Sequence, residues 1–381
     1  MTICKEENTY ILDIIQRNPE KTAFYIVDLG KIVELYEQWM RLLPKITPYY
    51  AIKCNSNPRV LQVLENLGIN FDCASQDEIK TVLDITNDPN RIIFANPCKY
   101  PEHIQYAKEN LVDLMTFDCE EELYKIKKYY PEARMVLRLA VDDSKSKMKF
   151  SKKFGCTKEN IITLLVLAKS LQLTVVGFSF HVGSKCMSAD TYYNALNDCK
   201  YACEIARLLD IKIDMIDIGG GFSSEDSFFD ATYYINLGID LLFSSDDYYQ
   251  NIKFIAEPGR YFAETTHTLV LQVIGKKAVV ENDENIIVYT LNESVYNSFN
   301  CTIFDCCIPD IRPLLFDPSS VLYKTRIYGH TCDSMDLLLD NVMMPMMEVG
   351  DWTYVENFGA YTYSASSQFN GFQATSHFVY I

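Results

Sequence analysis

The sequence predicts an α/β protein that contains an eight-stranded parallel β/α barrel and a second, mostly β domain. Eight short apolar runs of the β type recur between about residues 30 and 260. The segments between them repeat apolar residues at three- and four-residue intervals, which is typical of amphipathic helices. Alternating strands and helices indicate a parallel sheet, and eight such units form a (β/α)8, or TIM, barrel. Two doubly wound sheets would show the same pattern, so this alternative fold is not excluded at this point.

The predicted barrel strands are PYYAIK (48–53), INFDCAS (69–75), RIIFAN (91–96), LMTFD (114–118), RMVLRLA (134–140), TVVGFSFHV (174–182), DMIDIGGG (214–221) and KFIAEPGR (253–260). After about residue 266 the helical period fades, and strand-like runs alternate with turn-rich pieces. These later runs are LVLQVIG (269–275), ENIIVYTL (284–291), YKTRIYG (323–329) and DWTYVEN (351–357). AFYIVDL (23–29) is a further strand candidate that could pair with them. We therefore expect a barrel over residues 30–266, inserted into a β-sheet domain made of residues 1–29 and 267–381.

The composition narrows the classes of partner. The chain has 381 residues with 35 Lys and Arg against 51 Asp and Glu, a net charge of −16. Such an acidic chain argues against nucleic acid and anionic membrane as partners, but it would attract a cationic small molecule. No apolar run approaches the roughly 20 residues that span a bilayer, and the start lacks the apolar core of a secretory signal. The 13 scattered cysteines form no CxxC pair and have no histidine at metal-ligand spacing, which predicts reduced thiols, a cytoplasmic protein and no metal site.

The ends of the predicted strands carry the candidate chemistry, because barrel enzymes place catalytic groups at the carboxyl ends of their strands. The side chains at these positions are Lys53, Asp72, Asn96, Asp118, Arg138, His181, Gly219–Gly221 and Glu257. Taken singly, a strand-end lysine is usually a surface group, and a histidine such as His181 usually belongs to the core. Together, a lysine, a histidine, an arginine and consecutive glycines suit an anionic aromatic cofactor, since glycines let backbone N–H groups converge on a phosphate.

Further segments extend this pattern along nearly the whole chain in unbroken order. They are YAIKCN (50–55), NFDCAS (70–75), IIFANPCK (92–99), TFD (116–118), LRLAVDDSKS (137–146), KFG (153–155), GFSFHVGS (177–184), DIGGGF (217–222), AEPGRYF (256–262), SFNCTIFD (298–305), GHTCDSMD (329–336), GDWTYVENFGAYT (350–362) and FNGF (369–372). With these segments the chain resembles the fold-type III pyridoxal-phosphate decarboxylases of the alanine-racemase-like fold. Among them it is most similar to the eukaryotic-type ornithine decarboxylases.

This resemblance implies pyridoxal 5'-phosphate as cofactor and assigns roles to the strand-end residues. Lys53 would hold the cofactor covalently through its amine, Glu257 would pair with the pyridinium nitrogen, and His181 would stack on the ring. Asp72 and Arg138 would orient these groups. The residues implied for binding the phosphate are Ser184, Gly219, Gly220, Gly221, Gly259, Arg260 and Tyr361, and Pro258 would also belong to the cofactor site.

The resemblance also implies the reaction, the decarboxylation of L-ornithine to putrescine in polyamine biosynthesis. Cys332 would govern protonation of the decarboxylated carbon, and Asp305 and Asp333 would accept the distal ammonium of a basic amino acid. Phe304 and Phe369 would belong to the same substrate site. In this family the Cys332–Asp333 loop completes the site of the partner subunit, so a homodimer with shared active sites is implied.

Alternatives concern the substrate and the catalytic status. Viral relatives that prefer arginine carry a longer Glu where this chain has Asp305, which favours ornithine. His330 stands where proline is usual, Phe304 replaces a tyrosine, and CCIPDIRP (306–313) departs from the common form, so arginine and lysine stay open as substrates. Antizyme inhibitors resemble these enzymes without being catalytic, but they lose cofactor residues that this chain retains. A small carrier or racemase of the same fold type is disfavoured by the acidic pair and the full β domain.

Overall fold

The computed structural model describes residues 9–17, 22–224 and 227–381. The chain separates into two compact units. The first is the described part of Ile32–Phe262, and the second joins Ala263–Ile381 to the described residues up to Lys31. In the described ranges, no helix has the length and apolar character needed to cross a lipid bilayer.

The bounds of the elements follow in chain order. The strands are β1 (Phe24–Val27), β2 (Ile46–Ala51), β3 (Asn70–Cys73), β4 (Ile92–Phe94), β5 (Leu114–Phe117), β6 (Arg134–Arg138), β7 (Ser146–Met148), β8 (Thr174–Ser179), β9 (Ser184–Cys186), β10 (Met215–Asp217), β11 (Lys253–Ala256), β12 (His267–Glu281), β13 (Glu284–Leu291), β14 (Arg312–Pro313), β15 (Leu322–Tyr328), β16 (Leu337–Pro345), β17 (Trp352–Val355) and β18 (Phe378–Tyr380). The α-helices are α1 (Thr9–Arg17), α2 (Leu29–Leu42), α3 (Pro58–Asn66), α4 (Gln76–Thr86), α5 (Pro101–Glu109), α6 (Glu120–Tyr129), α7 (Ile161–Ser170), α8 (Asp190–Leu208), α9 (Ser227–Phe243), α10 (Arg260–Ala263) and α11 (Cys301–Phe304).

The first unit is a closed parallel barrel. Its strands follow the order β10, β11, β2, β3, β4, β5, β6 and β8, and pairing of β8 with β10 closes the ring. All eight are runs that the sequence predicts as barrel strands, so the prediction of a (β/α)8 barrel is confirmed. Parallel strands are covered on both faces, which is why they read as continuous apolar runs. One buried layer takes a side chain from each of seven strands, namely Tyr49, Ile93, Leu114, Val136, Val176, Met215 and Ile255.

Local caps start the barrel helices directly after the strand ends. Asn57 accepts hydrogen bonds from the backbone N–H groups of Arg59 and Val60 at the start of α3, where Pro58 occupies the first helical position. Ser75 accepts the N–H of Glu78 at the start of α4. These short connections leave the side chains at the strand ends at one edge of the barrel.

The second unit is a mostly β sheet, as the sequence predicts. Its main path runs β14, β17, β12, β13, β15 and β16, and β1 pairs antiparallel with β12 and parallel with β18. Buried residues from distant parts of the chain form a shared core, namely Ile11, Phe24, Ile26, Val270, Leu314 and Tyr354. The sequence interpretation missed β16, because its LLLDNVMMP lacks clear alternation and contains asparagine and proline.

Candidate active site

Lys53 and Asp72 form a charged pair at the carboxyl end of adjacent barrel strands. Lys53 lies in the 3-10 turn Ile52–Cys54, which directly follows β2, and Asp72 lies in β3. The Lys53 Nζ donates to the Asp72 Oδ2 at 2.5 Å, and the lysine side chain is 45% exposed while the aspartate side chain is fully buried. The pair is therefore a charge-assisted hydrogen bond that holds a solvent-accessible amine in place.

Two carboxyl groups with raised pKa values lie next to this lysine. Asp217 ends β10 and Glu257 follows β11, and these strands are neighbours. Burial raises the pKa of Glu257 well above its usual value, and the neighbouring Asp217 and Asp72 add to this effect. Burial also raises the pKa of Asp217 to about 7, although the N–H of Gly219 opposes the shift. These surroundings favour the protonated form of the Glu257 carboxyl.

His181 lies two residues after β8 and is held as a neutral ring. Its Nδ1 accepts the backbone N–H of Gly183 at 3.0 Å, so the proton of the neutral imidazole resides on Nε2. Burial lowers the pKa of His181 well below its usual value, and the positive charges of Arg138 and Lys53 lower it further. Phe150 contacts the ring edge to face, with centroids 4.8 Å apart. The site thus presents a flat, uncharged ring.

The glycine turn after β10 has no room for side chains. A Cβ on Gly219 would lie 2.1 Å from the Phe180 carbonyl oxygen, and one on Gly220 would lie 2.9 Å from the His181 Nε2. Gly219 and Gly221 also adopt positive φ angles of 65° and 98°. These residues must be glycine because the backbone itself lies against the histidine.

The other predicted barrel residues lie on nearby strand ends and turns. Arg138 ends β6 with its guanidinium 5.0 Å from the centre of the Phe154 ring. Ser184 begins β9, and Arg260 begins α10 directly after Pro258 and Gly259. A Cβ on Gly259 would lie 2.9 Å from the Cβ of Cys54, so this turn packs closely against the turn of Lys53.

Two strand-end candidates have structural contacts. The Asn96 side-chain amide donates to the Ala74 carbonyl, and Asp118 accepts the N–H of Gly155. Both side chains therefore join neighbouring loops of the barrel edge.

The loop after β15 carries Cys332 and Asp333. The Asp333 carboxylate accepts hydrogen bonds from the Met335 N–H and the Tyr296 hydroxyl, and these two contacts lower the pKa of Asp333. Tyr296 stacks on Phe369 with centroids 4.2 Å apart. Cys332 is exposed, and its N–H donates to the Asn370 side chain. The structure thus brings together Cys332, Asp333 and Phe369.

The remaining predicted substrate and phosphate residues lie on other elements of the second unit. Phe304 ends α11 and is 66% exposed, whereas the adjacent Asp305 is 6% exposed. Tyr361 adopts a left-handed backbone with φ of 55°. His330 stacks on Phe372 with centroids 3.9 Å apart, so this departure from the family pattern is part of the local packing.

Sequence reasoning missed four residues that shape these surroundings. Asp217 lies two positions before the three glycines, and an acidic residue at the end of a barrel strand is a signal that the sequence shows. Glu78 accepts the Ala74 N–H at 2.5 Å, and burial raises its pKa. Phe150 and Tyr296 position His181 and Asp333 through contacts between distant segments, which no local pattern shows.

Comparisons with known proteins agree with this geometry. The family model described as "Pyridoxal-dependent decarboxylase, pyridoxal binding domain" matches residues 29–264. An antizyme inhibitor 2 from Xenopus laevis is 42% identical over 95% of this chain and 82% of its own length. An ornithine decarboxylase from Rattus norvegicus is 40% identical over 94% of this chain and 80% of its own length. The crystal structure of the Paramecium bursaria Chlorella virus arginine decarboxylase bound to agmatine superposes with a TM-score of 0.93 at 37% identity, covering 98% of this chain and 100% of the viral chain.

The fold and the strand-end residues define a barrel protein of the fold-type III, cofactor-dependent class. The chain belongs to the family of pyridoxal-dependent decarboxylases, and its cofactor is pyridoxal 5'-phosphate. The residues present fit this cofactor. Lys53 offers a primary amine, the turn of Gly219–Gly221 presents backbone without side chains, and the Asp72 Oδ1 is buried without a hydrogen-bond partner among the described atoms.

Proposed function

We propose that the protein decarboxylates L-ornithine to putrescine. The observation that carries this proposal is the set of groups at one end of the barrel: an amine held by Asp72, the neutral His181, and Glu257 with its raised pKa. Relatives named as ornithine decarboxylases at about 40% identity support the choice of substrate class. Asp305, a short carboxylate, favours the short ornithine tail.

Each barrel residue has a role that its surroundings support. When bound, pyridoxal phosphate supplies an aldehyde that takes up amino groups and an aromatic ring that accepts the electron pair left by CO2. Lys53 provides the anchoring amine, and Asp72 keeps that amine oriented. The raised pKa of Glu257 keeps a proton available for the ring nitrogen, and His181 covers the ring without adding positive charge.

The phosphate and substrate roles follow from chemistry and charge. Backbone N–H groups of the glycine turn, with Ser184, Arg260 and Tyr361, would bind the phosphate. Asp333 has a lowered pKa and is therefore ionised at neutral pH, as an acceptor for the distal ammonium must be. Cys332 is exposed on the same loop and would donate a proton to the decarboxylated carbon. We further propose a homodimer in which this loop serves the barrel of the partner subunit.

The direct test measures CO2 release from ornithine, arginine and lysine side by side, with the purified protein and added pyridoxal phosphate. We expect a clear preference for ornithine. The matched variant Asp305→Glu should move the preference toward arginine, because the longer carboxylate changes the reach of the tail site. Preference for arginine or lysine in the parent protein would overturn the ornithine proposal while leaving the reaction type intact.

A second candidate function is regulation without catalysis, which the 42% identity to an antizyme inhibitor brings forward. The retained Lys53–Asp72 pair and glycine turn favour the enzyme instead. Visible absorbance of bound pyridoxal phosphate separates the two. We expect the parent chain to show this absorbance and Lys53→Ala to lose it. A parent chain that neither binds the cofactor nor releases CO2 from any of the three amino acids would favour the regulator.

A further inference from the structure

A concentrated positive segment stands out on this acidic protein. Residues 144–153 contain five lysines and no acidic residue, whereas the whole chain has a net charge of −16. All five side chains, Lys145, Lys147, Lys149, Lys152 and Lys153, are exposed. We call residues 144–153 the lysine flap.

The lysine flap has a defined conformation. Its strand β7 pairs antiparallel with β9, with Ser146 opposite Cys186 and Met148 opposite Ser184. The Ser146 hydroxyl donates to the Val182 carbonyl at 2.5 Å. The buried Asp143 carboxylate accepts the backbone N–H groups of Phe150 and Ser151 at 2.5 and 2.8 Å. These bonds fix the backbone and leave the lysine side chains in solvent.

The flap lies at the cofactor edge of the barrel. Phe150 contacts the His181 ring, and β9 begins with Ser184, which we propose as a phosphate ligand. Asp142 is the exposed acid closest in sequence. Hydrogen bonds from the Ser144 side chain and backbone N–H lower its pKa most, and Lys145 and Lys149 lower it further. Asp143 is engaged by backbone N–H groups. In the described ranges no ion pair neutralises Lys145, Lys147 or Lys149, so their three positive charges face the solvent at this edge.

A run of exposed lysines is often only a solvated surface. Here the run lies beside the proposed cofactor site, so its positive charge discriminates between ligands of opposite charge. A cationic amino acid substrate would be repelled by the flap, whereas a phosphate dianion would be attracted. The remainder of the acidic surface would repel that dianion, so a local positive field has most effect on its approach. We propose that the lysine flap is an encounter site for the phosphate of pyridoxal phosphate, which speeds its association with the apoprotein. This inference rests on the proposed cofactor site at the same barrel edge.

The test measures cofactor association by stopped-flow absorbance with the full-length apoprotein. The flap variant is K145Q/K147Q/K149Q. The control variant K45Q/K212Q/K253Q removes the same charge at the opposite end of the barrel, where Lys45 and Lys212 precede β2 and β10 and Lys253 begins β11. Each protein is mixed with pyridoxal phosphate and with pyridoxal, which lacks the phosphate. Ionic strengths of about 0.01 M and about 0.5 M change the screening length from about 30 Å to a few ångströms.

At low ionic strength we expect the flap variant to associate with pyridoxal phosphate about three- to tenfold more slowly than the parent, up to the lower end of the effects known for electrostatic steering. The control variant should change the rate much less. The difference should vanish at high ionic strength and be absent with pyridoxal, while the dissociation rate stays unchanged. The charge reversal K145E/K147E/K149E should slow association further.

Equal association rates for the flap and control variants would overturn the encounter site, and so would an equal slowing with pyridoxal. In either case a parent chain that still takes up the cofactor leaves the proposed function standing. A parent chain that takes up no pyridoxal phosphate would instead overturn the proposed cofactor site itself.

Discussion

Replacing the buried Asp217 with asparagine should make the apoprotein more stable at neutral pH. Asp217 is fully buried, its Oδ1 accepts the Gly219 N–H at 2.9 Å, and burial raises its pKa from 3.8 to about 7. Asparagine keeps the accepting oxygen and cannot ionise. It also removes the negative charge that raises the pKa of Glu257.

The magnitude follows from linkage. A carboxyl whose pKa is raised in the folded state contributes full stability below its unfolded pKa and loses it as the pH rises through the window from 3.8 to about 7. A shift of roughly three units at 1.36 kcal/mol each corresponds to about 4 kcal/mol over the whole window. Between pH 5.5 and pH 8, above the sequence pI of about 4.8, roughly half of this loss is accessible, or about 2 kcal/mol.

The assay is urea denaturation of the two apoproteins at several pH values from 5.5 to 8. The stability of Asp217→Asn relative to the parent should increase by about 2 kcal/mol across this range, and then level off. The control Asp214→Asn removes the same charge at an exposed position just before β10 and should show no such trend. A relative stability that stays flat or falls with pH would refute the reasoning.

Three further changes test other parts of the structure. Lys99→Met should lower the free energy of unfolding in urea by about 3 kcal/mol, because the buried Lys99 Nζ bonds the Glu122 carboxylate and two backbone carbonyls. The control Lys125→Met removes a partly exposed partner of Glu122 and should lower stability less, so equal effects of the two variants would contradict this reasoning. Gly220→Ala should weaken pyridoxal phosphate binding at least tenfold in a titration, since its Cβ would meet the Glu257 carbonyl oxygen at 2.8 Å. The control Gly68→Ala, whose Cβ would meet no atom within 4 Å, should leave binding intact, and unchanged affinity of Gly220→Ala would count against a cofactor site at the glycine turn. Tyr296→Phe should raise the KM for ornithine more than it lowers kcat, since Asp333 loses a hydrogen bond that favours its ionised form. A change in kcat alone would argue against the proposed role of Asp333 in binding the substrate.

Much of the architecture was predictable because barrel strands carry a local signal. Each of the eight predicted barrel runs overlaps its strand, and the four later runs overlap β12, β13, β15 and β17. Strands buried on both faces must be apolar along their length, so the sequence shows them directly. The strand β16 was missed because its residues follow neither alternation nor a continuous apolar run, and only pairing with β15 defines it.

The positions of the candidate catalytic groups were also predictable, since the ends of parallel strands meet at one edge of a barrel. Lys53, Asp72, His181 and Glu257 could therefore be selected from strand ends alone. Their contacts could not, because each joins residues that are distant in sequence. The Lys53–Asp72 pair spans 19 positions, and the Tyr296–Asp333 hydrogen bond spans 37.

By itself the sequence determined the eight barrel strands, the residue types at their ends and the acidic charge of the protein. Only the tertiary structure decided which carboxyl groups have raised pKa values, which nitrogen of His181 accepts a hydrogen bond, and where the lysine flap lies. The physical reason is that hydrophobic periodicity and turn chemistry act over a few residues. Burial and electrostatic coupling instead depend on distances between groups that folding brings together.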